Sequence, residues 1–156
     1  MAVIRFERVK SGDIGTIEKI AAWYFDEWKI EPEKTIRKLS GFPDLGIPFQ
    51  LLMSADGVDV ATGGLYAHVG LLDIAPKYRI YGPWLALVLT TPENRNQGYG
   101  TLLCEEIENR SRELGLKEIF LFTRMAESLY RRMGWVSIDE KNINGQDVFV
   151  MRKELS

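Results

Sequence analysis

The sequence predicts one mixed α+β domain with an α/β-type sheet, and three observations lead there. Short apolar or alternating runs of strand length are interleaved with stretches of helical periodicity. The order of these segments is a strand, two helices, two or three strands, then β-α-β-α-β-β. Finally, 156 residues with 46% hydrophobic and 27% charged side chains suffice for one ordinary core. No linker, repeat or low-complexity tract divides the chain, so residues 1–156 are expected to form a single unit.

Val3, Arg5 and Glu7 alternate with Ile4, Phe6 and Arg8, which reads as a short opening strand, closed by Ser11-Gly12-Asp13, which also offers a helix cap. Ile14, Ile17, Ile20, Ala21, Tyr24 and Trp28 recur at helical spacing. A shorter helix is expected from about Pro32 to Leu39, followed by a loop through Pro48. Phe49–Ser54 and Val58–Tyr66 read as strands of a hairpin turned at Ala55-Asp56-Gly57. Gly63-Gly64 within the second suggests a bulge or a close backbone approach. His68–Gly82 reads as a long loop, a length that often accompanies function.

Pro83–Thr91 is the clearest buried strand, with six apolar residues from Trp84 to Leu89. A long helix should start near Gly98 and stop at Gly115, with Leu102, Leu103, Ile107 and Leu114 on one face. Glu105, Glu106, Glu108, Arg112 and Glu113 fall mostly on the other. Ile119–Phe122 is a short strand, and Ala126–Met133 a short helix stopped by Gly134. Trp135–Asp139 and Asp147–Arg152 pair through a turn at Asn144-Gly145.

Composition excludes some function classes. Twenty Lys plus Arg stand against 22 Asp plus Glu, so the basic excess usual in a nucleic-acid binder is missing. No long apolar stretch follows the N-terminus, so neither a secretory signal nor a membrane span is expected. The single cysteine, Cys104, rules out an internal disulfide and fits a reducing cytoplasm. No spaced His/Cys/Asp cluster suggests a metal.

The most informative stretch runs from Pro92 to Leu103, where an apolar strand ends, the chain turns and a helix begins. A helix start presents free N–H groups and the positive end of a dipole, and both attract phosphate. Gly98 and Gly100 let the backbone approach a ligand, and Arg95 adds a forked donor for phosphate oxygens. The pattern is neither a P-loop nor a dinucleotide fingerprint. Taken alone, a glycine pair at a helix start is in most cases just a tight turn.

The motif Arg95-x-x-Gly98-x-Gly100 resembles the Gln/Arg-x-x-Gly-x-Gly/Ala signature of the GNAT acetyltransferase superfamily. Its setting agrees, with an apolar strand before it and an amphipathic helix after it. Leu129-Tyr130-Arg131-Arg132-Met133-Gly134-Trp135 resembles a second family segment, in which a tyrosine near a helix end leads into a strand. The resemblance covers the second half of the chain by motif and the first half by element order. It implies a central mixed sheet of six to seven strands flanked by about four helices.

It further implies an acetyl-CoA cosubstrate and no metal. The pantetheine arm would pair with backbone near Val88, Leu89 and Thr90, where the family more often has valine at the position of Thr90. The pyrophosphate would rest on Arg95, Asn96, Gln97, Gly98, Tyr99, Gly100 and Thr101. The acceptor would be an amine of a small molecule or protein, attacking directly in a ternary complex. Such an amine, with a pKa of about 10.4 if lysine-like, must first lose a proton. Tyr130 occupies the position where family members often place the acid that protonates the leaving thiolate, although it could equally pack against the sheet.

The base stays open among Asp26, Glu27, His68, Asp73 and water. Glu93 belongs to a Pro-Glu-x-Arg turn and reads as structural. Cys104 reads as a packed side chain, since no His-Asp pair can be set beside it. Trp23, Tyr24, Phe25 and Trp28 read mainly as core, and some could also line the acceptor pocket. Competing readings are a non-catalytic acyl-CoA sensor and a nucleotide-binding regulatory domain. Neither a nucleic-acid nor a membrane partner is expected, and a homodimer is the default expectation.

Overall fold

The computed structural model describes residues 2–156. In chain order the elements are β1 (Ile4–Arg8), α1 (Ile14–Trp28), α2 (Pro32–Ser40), β2 (Phe49–Ala55) and β3 (Val58–Tyr66). There follow α3 (Leu71–Ile74), β4 (Trp84–Thr90), α4 (Tyr99–Glu113), β5 (Glu118–Thr123), α5 (Glu127–Arg132), β6 (Val136–Ile143) and β7 (Gln146–Glu154). Short 3₁₀ turns occupy Pro76–Ile80 and Pro92–Asn94.

Local chemistry sets these boundaries. The Asp13 carboxylate caps α1, accepting from the Thr16 N–H at 3.3 Å and its hydroxyl at 2.8 Å. Pro32 opens α2, where its missing N–H costs nothing. Asp56-Gly57 and Asn144-Gly145 both take positive φ at their two residues, which matches the right-handed twist of the strands they join. The first hairpin is thus tighter than the sequence suggested, because β2 continues through Ala55.

The seven strands form one sheet in the order β1-β2-β3-β4-β5-β7-β6. Every neighbouring pair is antiparallel except β4 and β5. Alternation along β2 sends Leu51 and Met53 to one face and Leu52 to the other. On the first face they pack with Leu103 and Ile107 of α4, and on the second Leu52 meets Ile17, Ile20, Tyr24 and Leu39 from α1 and α2.

Four expectations need correcting. His68–Gly82 is not a structureless loop: it folds into α3 and a 3₁₀ turn, because Leu71, Leu72, Ala75 and Tyr78 bury against Trp84 and Phe120. Of the aromatic cluster on α1 only Tyr24 is fully buried; Phe25 and Trp28 are exposed, as is Ile14. Ala86, Leu87 and Val88, expected within a buried strand, are only half-buried. Glu108, expected on the solvent face of α4, is 2% exposed while Leu102 and Leu114 are exposed.

Glu108 is inside because Lys153 of β7 reaches it at 2.8 Å and also donates to the Met133 carbonyl at 2.6 Å. This ties α4, β7 and the end of α5 together. Glu108→Ala strands the Lys153 ammonium and is expected to cost roughly 3 kcal/mol of stability in a urea melt. Replacing both partners by apolar residues should cost less.

Candidate active site

β4 and β5 begin as neighbours and then separate. Their register holds a single pair, Trp84 with Phe120, supported by a 3.0 Å bond from the Phe120 N–H to the Pro83 carbonyl. Beyond it, β4 bulges. Thr62 faces Leu89 and Gly64 faces Ala86, so Leu87 and Val88 together oppose Gly63. A bulge bends its strand and takes a residue out of the ladder. Leu87 has φ of 56°, a left-handed conformation that a leucine adopts only when its surroundings impose it.

The glycines expected to mark a bulge do so on both counts. A Cβ on Gly63 would lie 3.0 Å from Val88 Cγ2, on the bulged strand itself. A Cβ on Gly64 would lie 2.4 Å from the Phe49 carbonyl, which leaves no room for any side chain.

A buried polar chain holds the bulge. The Tyr24 hydroxyl donates to the Leu87 carbonyl at 2.6 Å and accepts from Gln50 Nε2 at 2.8 Å. The same amide donates to Thr62 Oγ1 at 2.8 Å, while Gln50 Oε1 accepts from the Tyr66 hydroxyl at 2.6 Å. Thr62 in turn donates to the Leu51 carbonyl at 2.8 Å. Burial pushes the Tyr24 and Tyr66 hydroxyls well above the ordinary phenol range, so both stay protonated donors. Tyr24→Phe leaves the Leu87 carbonyl and a Gln50 N–H without partners. It should cost about 1–3 kcal/mol, measurable by denaturant unfolding.

The strand gap opens a mainly apolar cavity of about 660 Å³. Leu85–Val88 form one wall and Leu121–Ala126 with Tyr130 the other. The cavity extends beneath α1 and α2 to Tyr24, Trp28, Ile30, Lys34, Thr35, Lys38 and Leu39, and to Tyr66, Val69 and Gly70. This explains the half-buried residues of β4: they line a space instead of filling a core. Trp28 belongs to the same surface and stacks on Tyr24 at 5.4 Å.

A hollow of about 400 Å³ continues from Val88 to the start of α4. It is bordered by Glu27, Trp28, Val88, Leu89, Thr90, Asn94, Arg95, Asn96, Gly98, Tyr99 and Gly100. Gly98 caps the helix at φ of 80°, and no side chain caps it. The Leu102 N–H reaches the Gly98 carbonyl at 3.2 Å, so the N–H groups of Tyr99, Gly100 and Thr101 precede the first intrahelical bond. A Cβ on Gly100 would touch only Thr90 Oγ1, at 3.5 Å. The fold itself has room for a Cβ there; what the glycine keeps clear is the approach to the free N–H groups. The residues therefore fit a pyrophosphate.

Arg95 is fixed at the edge of this hollow. Its Nε donates to the Thr90 carbonyl at 3.0 Å, and Nη2 meets the Glu27 carboxylate at 2.5 Å. Glu27, weighed above as a base, is thus the partner of Arg95. Gln97, whose amide oxygen accepts from the Tyr99 hydroxyl at 3.3 Å, and Thr101 do not border the hollow.

Tyr130 stands on the cavity wall with its ring edge-on to Trp135 at 6.0 Å. Burial, reinforced by the adjacent Cys104, raises its pKa well above the usual phenol value, so the hydroxyl is protonated at neutral pH. The Cys104 thiol is itself pushed up to about 12, by burial and then by Glu108, which leaves it a neutral packed group. The remaining base candidates are not brought to the cavity. His68 and Asp73 pair with each other at 3.0 Å on the surface, Arg79 approaches Asp73 at 3.7 Å, and Asp26 is exposed on α1. Among the described residues no carboxylate or imidazole lines the larger cavity.

Sequence reasoning missed Tyr24, Gln50, Thr62 and Tyr66 as a unit, because their spacing along the chain carries no pattern. It also left Lys34 and Lys38 unread, although a basic pair four apart on a short helix was a visible signal.

The acetyltransferase (GNAT) domain profile matches residues 55–137, just over half of the chain. The fold is shared with a GNAT-family acetyltransferase from Streptococcus pneumoniae, at a TM-score of 0.72 and 17% identity over 99% of this chain and 100% of that one. It is shared too with an aminoglycoside 6′-N-acetyltransferase complexed with coenzyme A, at a TM-score of 0.75 and 13% identity over 97% of each chain. An amino-acid acetyltransferase of Pseudomonas syringae pv. syringae is 41% identical over 51 residues, 33% of this chain but only 12% of that protein's length. With the family profile spanning the bulged strand, the glycine turn and the tyrosine segment, the chain belongs to the GNAT acetyltransferase family.

Proposed function

We propose that the protein is an acetyl-CoA-dependent N-acetyltransferase, acting by direct attack of a primary amine in a ternary complex. One observation carries the reading: an apolar channel between splayed strands runs into an amide-lined hollow at a helix start, with a protonated phenol on its wall. The apolar channel suits an extended pantetheine arm, and the hollow suits a pyrophosphate.

Acetyl-CoA, when bound, supplies the acetyl thioester. The chain's own groups then have three tasks. Backbone at the Leu87–Val88 bulge, outside the ladder, polarises the carbonyl. Tyr130 donates its hydroxyl proton to the leaving sulfur. The amine's proton goes to water, since no carboxylate or imidazole among the described residues lines the cavity to take it. Leu89 and Thr90, free of a strand partner on the β5 side, hold the arm's amides. Arg95 and the N–H groups from Asn96 to Thr101 hold the pyrophosphate, with Gln97 contributing through its place in the turn. We expect the protein to work in the cytoplasm.

The test is release of CoA thiol from acetyl-CoA over a panel of amines. The proposal expects amine-dependent release with matching N-acetylated product; tight acetyl-CoA binding without release from any amine contradicts it. The latter result would favour a non-catalytic acyl-CoA sensor, a reading that draws on there being no carboxylate or imidazole among the described residues that line the cavity.

A further inference from the structure

The cavity has an unusual charge balance. Lys34 and Lys38 border it from α2, and Arg124 borders it from the far side at the end of β5. No acidic residue lines it among the described residues, and neither lysine nor Arg124 forms an ion pair among them. Glu31 and Glu33 border a separate outer hollow with Arg37, one that the two lysines also reach.

Lys38 is directed at the cavity. Its Nζ lies 5.2 Å from the centroid of the Tyr66 ring, which is buried and fixed by Gln50. Burial, and then the neighbouring Lys34 ammonium, lower the Lys38 pKa. A bound anion beside it would reverse both effects, by replacing lost hydration and offsetting the like charge. An acceptor with additional positive charges would instead add to the repulsion.

We propose that the acceptor is a small primary amine that also carries an anionic group, carboxylate or phosphate, which pairs with Lys38 and Lys34 while the amine faces the bulge at Leu87–Val88. The inference rests on the acetyltransferase reading and specifies its acceptor. The aromatic side chains Tyr24 and Trp28 then flank the body of the substrate.

The experiment compares matched amines with the full chain and acetyl-CoA. Amino acids are set against their amides, O-phosphoethanolamine against ethanolamine, and spermidine serves as the polycationic arm. The anionic member of a pair is expected to have the higher kcat/KM, and the preferred pair tells carboxylate from phosphate. Lys38→Gln should raise KM for the preferred anionic amine by roughly tenfold to a hundredfold and leave its neutral partner nearly unchanged. Lys34→Gln, one turn away on α2 and bordering the same cavity, should act in the same direction.

Preference for spermidine or the neutral amines, or an equal effect of Lys38→Gln on both members of a pair, overturns this inference and leaves the acetyltransferase reading standing. Thiol release from no amine at all overturns both.

Discussion

Tyr130→Phe is expected to slow amine acetylation by about 10²–10⁴-fold without changing the affinity for acetyl-CoA. The substitution removes one oxygen. The ring keeps its contact with Trp135, and the backbone bonds of α5 are untouched: the Tyr130 N–H to the Ala126 carbonyl at 3.1 Å, and the Trp135 N–H to the Tyr130 carbonyl at 3.0 Å. Nothing that shapes the channel should move, so a loss confined to kcat would place the hydroxyl on the leaving group. A fall in both stability and donor affinity would instead make Tyr130 a packing residue. Burial has a second consequence. Because it raises the phenol pKa, the proton donor should stay intact as pH rises through the neutral range. Any rise in rate with pH there would then report deprotonation of the amine.

Gly100→Val is expected to abolish measurable acetyl-CoA binding while the protein stays folded. The two halves of that prediction have separate physical grounds. The Cβ of the new side chain meets only Thr90 Oγ1, at an ordinary contact distance of 3.5 Å, and Gly100 has no positive φ to be strained. Outside the protein, it occupies the approach to the N–H groups at the start of α4. Losing several charge-assisted bonds to a pyrophosphate should lower affinity by at least about a hundredfold. Gly98→Val should behave differently, because Gly98 sits at φ of 80° and any side chain there strains the cap itself. Calorimetric titration with acetyl-CoA, beside a thermal melt of each variant, separates the two cases.

The elements of the fold were largely legible in the sequence because they rest on local signals. Asp13 marks the start of α1, Pro32 that of α2, and Asn144-Gly145 the last hairpin. The glycine turn that opens α4 was legible for the same reason: helix starts and glycines are consecutive in the chain. What the sequence hid was tertiary. The run Trp84–Leu89 reads as core, because a strand facing an apolar channel and one facing a packed helix require the same residues. Leu87 at positive φ contradicts local propensity, and its carbonyl is bonded by the hydroxyl of Tyr24, 63 residues earlier in the chain. Glu108 read as solvated until Lys153 arrived from β7. Glu27 read as a free carboxylate until the fold set it against Arg95.

The account turns on where the acetyl donor sits, and a crystal structure with acetyl-CoA bound tests that most directly. The pantetheine arm should lie between β4 and β5. The pyrophosphate should accept bonds from the backbone between Arg95 and Thr101, and the thioester should sit at the Leu87–Val88 bulge with its sulfur in reach of the Tyr130 hydroxyl. Acetyl-CoA bound away from the strand gap, or a thioester turned away from both the bulge and Tyr130, would contradict it.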